Sequence, residues 1–299
     1  MSKSTPTIRD VARQAGVSHQ TVSRVINSSE DVTPETRERV EAAIAELGYR
    51  PSAIARSMAS GQTHTLACIS PNLTDYTFAS IIEGAEIEAR RLGYFLLSSS
   101  ARDAESFKGL VDELVGHRRV DGLLVMNPYA DERYQLIPEG IPSVFVGARS
   151  RGENTCSVCL DDEAVAYNAT KHLIECGHKR IGMITGPMAE DCSLDRMVGF
   201  QKAIEERGLP FLPELIIEGD WGASSGQAAL MQISANGDLP DAIFVQNDRM
   251  AMGVLRAARD LKIIVPDALS IIGVDDMPLT QHYDPPLTTM RQDMPRIGL

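Results

Sequence analysis

The stretch Ser18-His-Gln-Thr-Val-Ser-Arg-Val-Ile-Asn27 separates two kinds of side chain at helical spacing. Val22, Val25 and Ile26 fall on one face, which leaves His19, Gln20, Ser23, Arg24 and Asn27 on the other. An arginine can bond both acceptors of a guanine edge, and a glutamine can pair with adenine. Histidine or serine serves either a base edge or a phosphate. A second set lies far along the chain, where Arg196, Trp221, Asn247 and Asp275 each follow a short apolar run. Guanidinium, amide and carboxylate can pair with hydroxyls, and an indole face suits a C–H surface, so together they fit a polyhydroxyl ligand. Each buried group left unpaired by the wrong epimer costs about 1–3 kcal/mol, which gives selectivity. The plainer readings are a solvated helix face for the first set and helix or turn caps for Asn247 and Asp275. Capping does not account for Trp221.

The first set needs a small helical frame. Thr7 can cap a helix whose apolar face is Ile8, Val11, Ala12 and Ala15. Gly16-Val17-Ser18 then breaks it: Gly16 suits a left-handed turn, Val17 can plug the angle between helices, and Ser18 can cap the next one. A third helix is expected from Thr33-Pro34 to Leu47-Gly48, braced by Val40, Ile44 and Leu47. This is a three-helix, helix-turn-helix headpiece over residues 1–48. Residues 49–63 hold a helix-compatible run of two to three turns. A helix that short is marginal in water, so it needs DNA or a second copy of itself, or else it is a linker.

The second set needs an α/β frame. From residue 64 to 299, short apolar runs alternate with amphipathic segments. Strands are expected at 66–70, 94–98, 122–126 and 143–146, with helices at 78–92 and 106–117. A second series has strands at 180–185, 215–218, 242–245 and 270–274, and helices at 162–176, 196–207, 224–236 and 250–261. Strict alternation means parallel sheets covered on both faces. Two series predict two Rossmann-like lobes, the first about 64–159 plus 291–299 and the second about 160–290. Ligands collect at the carboxyl ends of such strands. Arg196 is expected to open its helix, and Ser224 or Ser225 to cap the helix at 224–236.

The formal charge is −12, which at first sight disfavours nucleic acid. Its distribution does not. Residues 1–61 carry eight Lys and Arg against seven Asp and Glu, leaving −13 on the other 238 residues. DNA contact is therefore expected to be confined to the headpiece and to be strongly salt-dependent. No apolar leader and no run of 18 apolar residues is seen, so a cytoplasmic protein is expected. Cys156 and Cys159 form the only close cysteine pair, lack zinc-ligand company, and read as apolar filler. No metal or cofactor is expected, and neither nucleotide-binding glycine pattern occurs.

The run from Ile8 to Asn27 closely resembles the headpiece of the lactose-repressor (LacI/GalR) family. The resemblance implies base reading by His19, Gln20 and Arg24, and phosphate contacts by Thr7, Ser18, Thr21, Asn27, Thr33 and Thr36. In the family, paired hinge helices pry open the minor groove with an apolar wedge. Met58 occupies that place here, beside Ala55 and Arg56. The body shares the resemblance in Gly177-His-Lys-Arg-Ile-Gly, Gly186-Pro, Arg196-Met-Val-Gly-Phe, Gly219-Asp-Trp, Asn247-Asp and Val274-Asp-Asp. That implies a periplasmic-binding-protein-like body in which Arg196, Asn247 and Asp275 contact the effector and Trp221 stacks on it. Asp75 and Phe78 fall in the segment lining the cleft, and Gln292 where the chain crosses back. Where the lactose repressor has an acidic effector contact, this chain has Gly147, so its ligand is expected to differ from a galactoside. The chain also stops near Leu299 with no sign of the first-lobe helix and later strand that family members carry there, which reads as a shortened C-terminal end.

The expected protein is thus a homodimeric, sugar-responsive repressor that binds a near-palindromic operator, with two recognition helices in successive major grooves. Cleft closure could displace or align the hinge pair, and either sign obeys linkage. A transport-type sugar-binding protein shares the two-lobe body but gives no reason for residues 1–61. A hydrolase is suggested by Gly222-Ala-Ser-Ser-Gly226, a G-x-S-x-G pattern followed by Asp275 and His282 in the required order, with Ser224 as nucleophile.

Overall fold

The computed structural model describes residues 6–27, 29, 31–51, 57, 61–126, 131–147, 149, 156–237 and 239–299. Ala55, Arg56 and Met58 lie outside the described residues. The chain separates into two units, Met1–His64 and Thr65–Leu299.

The first unit holds three helices, α1 (Ile8–Ala15), α2 (His19–Ile26) and α3 (Pro34–Leu47). Gly16 ends α1 at φ 67°, in the left-handed region that favours glycine, and the Val17 N–H turns back to the Ala12 carbonyl at 3.0 Å. Val17 then packs on the core, and the Ser18 hydroxyl accepts the Thr21 N–H at 3.1 Å to start α2. Val11, Val22 and Val40 meet in the centre, one from each helix and none exposed. Two polar ties fix the angles: Gln14 donates to Glu46 at 2.9 Å, and Arg37 donates to the Ser29 carbonyl at 2.7 Å. Two expected caps work differently. Thr7 caps α1 through a capping box with Asp10, which accepts the Thr7 hydroxyl at 2.7 Å and the Thr7 N–H at 2.9 Å, whereas Thr33 stands at the N-cap of α3 with its hydroxyl donated to Thr36 at 3.0 Å and not to the helix backbone.

The second unit contains two five-stranded parallel sheets. The first runs β2-β1-β3-β4-β5, formed by β1 (Thr65–Ser70), β2 (Phe95–Ser100), β3 (Gly122–Met126), β4 (Ser143–Val146) and β5 (Cys156–Val158). It carries α4 (Tyr76–Arg91) and α5 (Ala104–Val111, continued by a wider turn to Gly116). The second runs β10-β9-β8-β6-β7: β6 (Ile181–Thr185), β7 (Ile216–Glu218), β8 (Ala242–Val245), β9 (Ser270–Asp275) and β10 (Thr288–Arg291). Its helices are α6 (Asp162–Glu175), α7 (Asp191–Glu206), α8 (Ala223–Ala235) and α9 (Asp248–Asp260). Every residue of β6 and β8 is buried, because helices cover both faces of a parallel sheet. One apolar cluster centred on Leu230 and Val254 lies on one side of the second sheet, and another centred on Phe200 and Phe244 on the other.

Several sequence expectations are corrected. α7 begins at Asp191, so Arg196 stands in its second turn. The acidic Asp191 suits the positive end of a helix, whereas Cys192 and Ser193 are weak helix formers that hide the start. Gly222, with no side chain to cap, precedes α8; the Ser225 hydroxyl instead donates back to the Gly222 carbonyl at 2.8 Å. Two strands escaped the reading, β5 with three residues and the polar β10. Cys156 and Cys159 are exposed and in no disulfide. A short helix, α10 (Met294–Gly298), does form where none was expected, and Met294 is buried beside Cys68, Ile81, Met126 and Val146 of the first sheet's side. Among the described residues, no helix is long and apolar enough to cross a membrane.

Candidate functional site

In the first unit, α2 buries Val22 and Val25 and leaves His19, Gln20, Arg24 and Asn27 exposed. No hydrogen bond or ion pair to another described residue occupies His19, Gln20 or Arg24. The neighbouring hydroxyls are partly committed. Ser18 and Thr21 share a hydrogen bond at 2.9 Å, Thr7 donates to Asp10 and Thr33 to Thr36, while Asn27 makes a long contact to Ser23 at 3.5 Å. The Thr36 hydroxyl keeps its proton available. A base-edge reader needs unoccupied donors on a rigid, exposed helix face, and α2 supplies them.

In the second unit, a cavity of 330 Å³ lies where the carboxyl ends of both sheets meet. Arg196, Trp221, Asn247, Asp275, Asp75 and Phe78 all line it. Gln292 stands one layer behind, accepting from Arg196 at 3.3 Å and donating to Asp162 at 3.2 Å. Four elements converge: β6 leads into Gly186-Pro187 and α7, β7 into Asp220-Trp221, β8 into Asn247, and β9 ends on Asp275. The first sheet contributes Pro71 and Asn72 after β1, Met126 at the end of β3 and Val146 at the end of β4.

Arg196 is 5% exposed and its guanidinium is almost fully engaged. It donates from Nε to Asp162 at 2.8 Å and from a terminal nitrogen to the Gln246 carbonyl at 2.5 Å, and it lies 5.7 Å from the centre of the Trp221 ring. Burial works against its charge, but Asp162, Cys192 and Asp275 outweigh burial and raise its pKa. Trp221 sits at φ 68°, a strained position for a non-glycine residue. Its ring lies so close to Gly186 that a Cβ there would come within 2.1 Å of it, so only glycine leaves room for the indole. The indole N–H donates to Glu190 at 2.9 Å. Asn247 is a helix cap, as its plainer reading had it: its side-chain carbonyl accepts the Met250 N–H at the start of α9 at 2.8 Å, while its amide donates to the Trp221 carbonyl at 3.2 Å. Asp275 is buried at φ 115° and accepts no hydrogen bond from a described residue. Burial, only partly offset by Arg196, raises its pKa well above the carboxylate range.

The description of bacterial regulatory proteins of the lacI family matches residues 7–52, and that of the periplasmic binding protein-like domain matches residues 170–299. The chain is 39% identical to the HTH-type transcriptional repressor PurR of Haemophilus influenzae, across 98% of this chain and 88% of the relative. It belongs to the LacI family. Among solved structures, the lac repressor dimer bound to operator and the anti-inducer ONPF superposes with a TM-score of 0.89 at 32% identity, over 98% of this chain and 89% of that one. The CelR–cellobiose complex, also a transcriptional regulator, gives 0.73 at 31%, over 98% and 90%. This LacI-family chain is accordingly a DNA-binding transcriptional regulator with a ligand-binding body.

Family motifs did not single out every residue in the cleft of this LacI-family body. Glu190 lines the cavity, is 6% exposed, and has its pKa pushed up to about 7, chiefly by burial. Arg249 donates to Asp75 at 2.6 Å, linking α9 of the second lobe to the cap of α4 in the first. Arg149, from beyond β4, pairs with Asp195 of α7, and its N–H donates to Asp191 at 3.1 Å. None of these could be found by spacing, because each partner is distant in sequence. The hydrolase arrangement is not assembled: Ser225 is held by the Asp220 N–H and the Gly222 carbonyl, and no hydrogen bond joins His282 to Ser224 or Asp275 among the described residues.

Proposed function

We propose that this protein is a homodimeric repressor whose operator affinity is controlled by a sugar or sugar derivative bound between its two lobes. In this reading residues 1–48 are the DNA-binding headpiece, 49–63 the hinge, and 64–299 the effector-binding body. His19, Gln20 and Arg24 read base edges, and Thr7, Ser18, Thr21, Asn27, Thr33 and Thr36 hold phosphates. Ala55, Arg56 and Met58 act in the minor groove. The observation that carries the ligand assignment is the buried Arg196 guanidinium beside the Trp221 face on the wall of a 330 Å³ cavity. That pairing offers hydrogen bonds to hydroxyls and an apolar face to a ring, with Asn247 and Asp275 supplying further polar groups. A chain of similar fold was solved with cellobiose, which supports the same class of ligand here.

Dimerisation is supported by the edge of the first sheet. Phe95 and Leu97 on β2 are 76% and 44% exposed, and Ile87 and Leu92 nearby are 57% and 58% exposed. A second copy would cover this apolar edge, and a bare edge strand of this kind invites pairing.

The test combines a thermal-shift screen of sugars and sugar phosphates, run with and without candidate operator DNA, with two variants. Arg196→Ala is expected to abolish the ligand response without changing operator affinity in its absence. Met58→Ala is expected to bind ligand normally and operator weakly. A retained ligand response in the first variant removes the cleft assignment, and equal operator affinity in the second removes the wedge.

A further inference from the structure

The ionisable groups lining the cleft do not balance. Asp75 is paired with Arg249, and Asp162 with Arg196. Asp220 lies at the half-exposed mouth and accepts the Gly222 N–H at 2.8 Å. Two carboxyls remain without a cation of their own, Glu190 and Asp275, respectively 6% and 7% exposed and both on the cavity wall. Glu190 receives the Trp221 indole N–H through Oε2, and that same oxygen takes a weak contact from the Cys192 thiol at 3.9 Å. Its Oε1 has no donor among the described residues, and Asp275 has none on either oxygen. Buried polar atoms are ordinarily satisfied, so unpartnered acceptors facing a cavity mark where a ligand's donors belong. Arg102 is the one lining arginine without an acid partner among the described residues; it is exposed at the rim, where solvent and salt screen it.

We propose that the ligand of this cleft carries a protonated amine that is seated against Glu190, with Asp275 as the second acceptor. The site is then selective for amino-substituted polyhydroxyl compounds over their neutral parents and phosphorylated forms. The proposal rests on the sugar-type reading above and narrows it. A hydroxyl can donate to either carboxyl but brings no charge to offset an ionised one. An ammonium supplies both donors and charge, whereas a phosphate brings only further acceptors and negative charge to a wall of acceptors. The raised affinity of Glu190 for a proton fits a position that takes up positive charge. Asp75, Cys192, Arg196 and Trp221 are the groups that face it, and of these only Arg196 is cationic.

The experiment is isothermal titration of the full-length protein with matched sets: glucose, galactose and mannose, the 2-amino-2-deoxy form of each, and the 6-phosphate of each. The amino form is expected to bind at least ten-fold more tightly than its parent in at least one set. That advantage should shrink as pH falls from 8 to 5.5 and vanish in Glu190→Gln. The glutamine keeps an acceptor for the Trp221 indole, and a cooperative thermal transition with intact ligand-free operator binding verifies that the variant is folded. Equal or tighter binding of the neutral parent or the phosphate overturns the amine assignment and leaves the sugar-type reading standing. Heat from no member of any set overturns both. An amine advantage that survives in Glu190→Gln overturns the role of Glu190.

Discussion

Arg24 and Arg196 are the same side chain put to opposite uses. Arg24 stands exposed on α2 with no partner among the described residues, while Arg196 is buried with Asp162, Gln292, the Gln246 carbonyl and the Trp221 ring around it. One guanidinium keeps its donors for something outside the protein. The other has most of them engaged before any ligand arrives, and so forms a fixed wall. The headpiece surface is thus a set of free groups on a small rigid frame, and the cleft is a network in which recognition and stability share the same atoms. Substitutions should separate binding from folding in the first region and fail to separate them in the second.

The strongest test of that contrast is Arg196→Ala. Removing the guanidinium leaves Asp162 buried without its cation, and breaking such a pair costs about 3–5 kcal/mol. The expected result is a clear loss in urea or thermal stability together with loss of the ligand response. An Arg196→Ala protein as stable as wild type would show that the network is not structural.

Glu190→Gln sharpens the comparison within the cleft through pH. The folded-state pKa of Glu190 lies above its unfolded value, rising from 4.5 to about 7. The folded protein therefore keeps a proton that the unfolded chain has lost, and stability falls as pH rises through that window, by up to about 1.4 kcal/mol per unit. Above pH 7 the contribution is flat. Urea titrations from pH 4.5 to 8 should show the wild type losing stability relative to Glu190→Gln across the window. Asp248, raised to about 6 mainly by burial, contributes a slope of the same sign to both proteins and cancels in the difference. Parallel curves would mean that the Glu190 carboxyl is effectively solvated.

Arg24→Ala should show the opposite profile to Arg196→Ala. Stability should stay within about 0.5 kcal/mol, as for a surface site away from caps and cores. Operator binding should weaken by about 1–3 kcal/mol, the worth of one bidentate base contact. A filter or anisotropy titration against operator and a scrambled duplex measures this, and equal loss on both would reassign Arg24 to phosphate.

The same contrast explains what could be read from the sequence. On the headpiece, Gly16, Ser18, Pro34 and Gly48 punctuate the helices locally, and exposure follows from periodicity, so both frame and face were legible. In the body, the buried strands β6, β8 and β9 announce themselves as continuous apolar runs, whereas β5 has too few residues and β10, Thr-Thr-Met-Arg, is too polar to do so. Arg196, Trp221, Asn247 and Asp275 each follow a strand and could be picked out for that reason. Glu190 and Arg249 could not, because their importance comes from Trp221, 31 residues away, and Asp75, 174 residues away.

The smallest expected effect concerns the link across the cleft. Asp75 does two jobs: Oδ1 caps α4 by accepting the Thr77 N–H at 3.0 Å, and Oδ2 pairs with Arg249 of the other lobe. Asp75→Asn keeps an oxygen for the cap and removes the charge, so it isolates the second job. The two side chains are 31% and 17% exposed, which limits a pair of this kind to about 0.5–1 kcal/mol. If that energy holds the lobes together, weakening it lowers the population of the closed, ligand-competent form, and ligand affinity should drop about two- to five-fold. Linkage requires the same change in the factor by which ligand and operator alter each other's binding only if closure is what couples them. Measuring ligand affinity with and without operator DNA therefore gives two readouts. A drop in both ties this contact to the switch. A drop in ligand affinity alone makes Asp75 and Arg249 a part of the binding wall, and no change in either leaves them a surface pair.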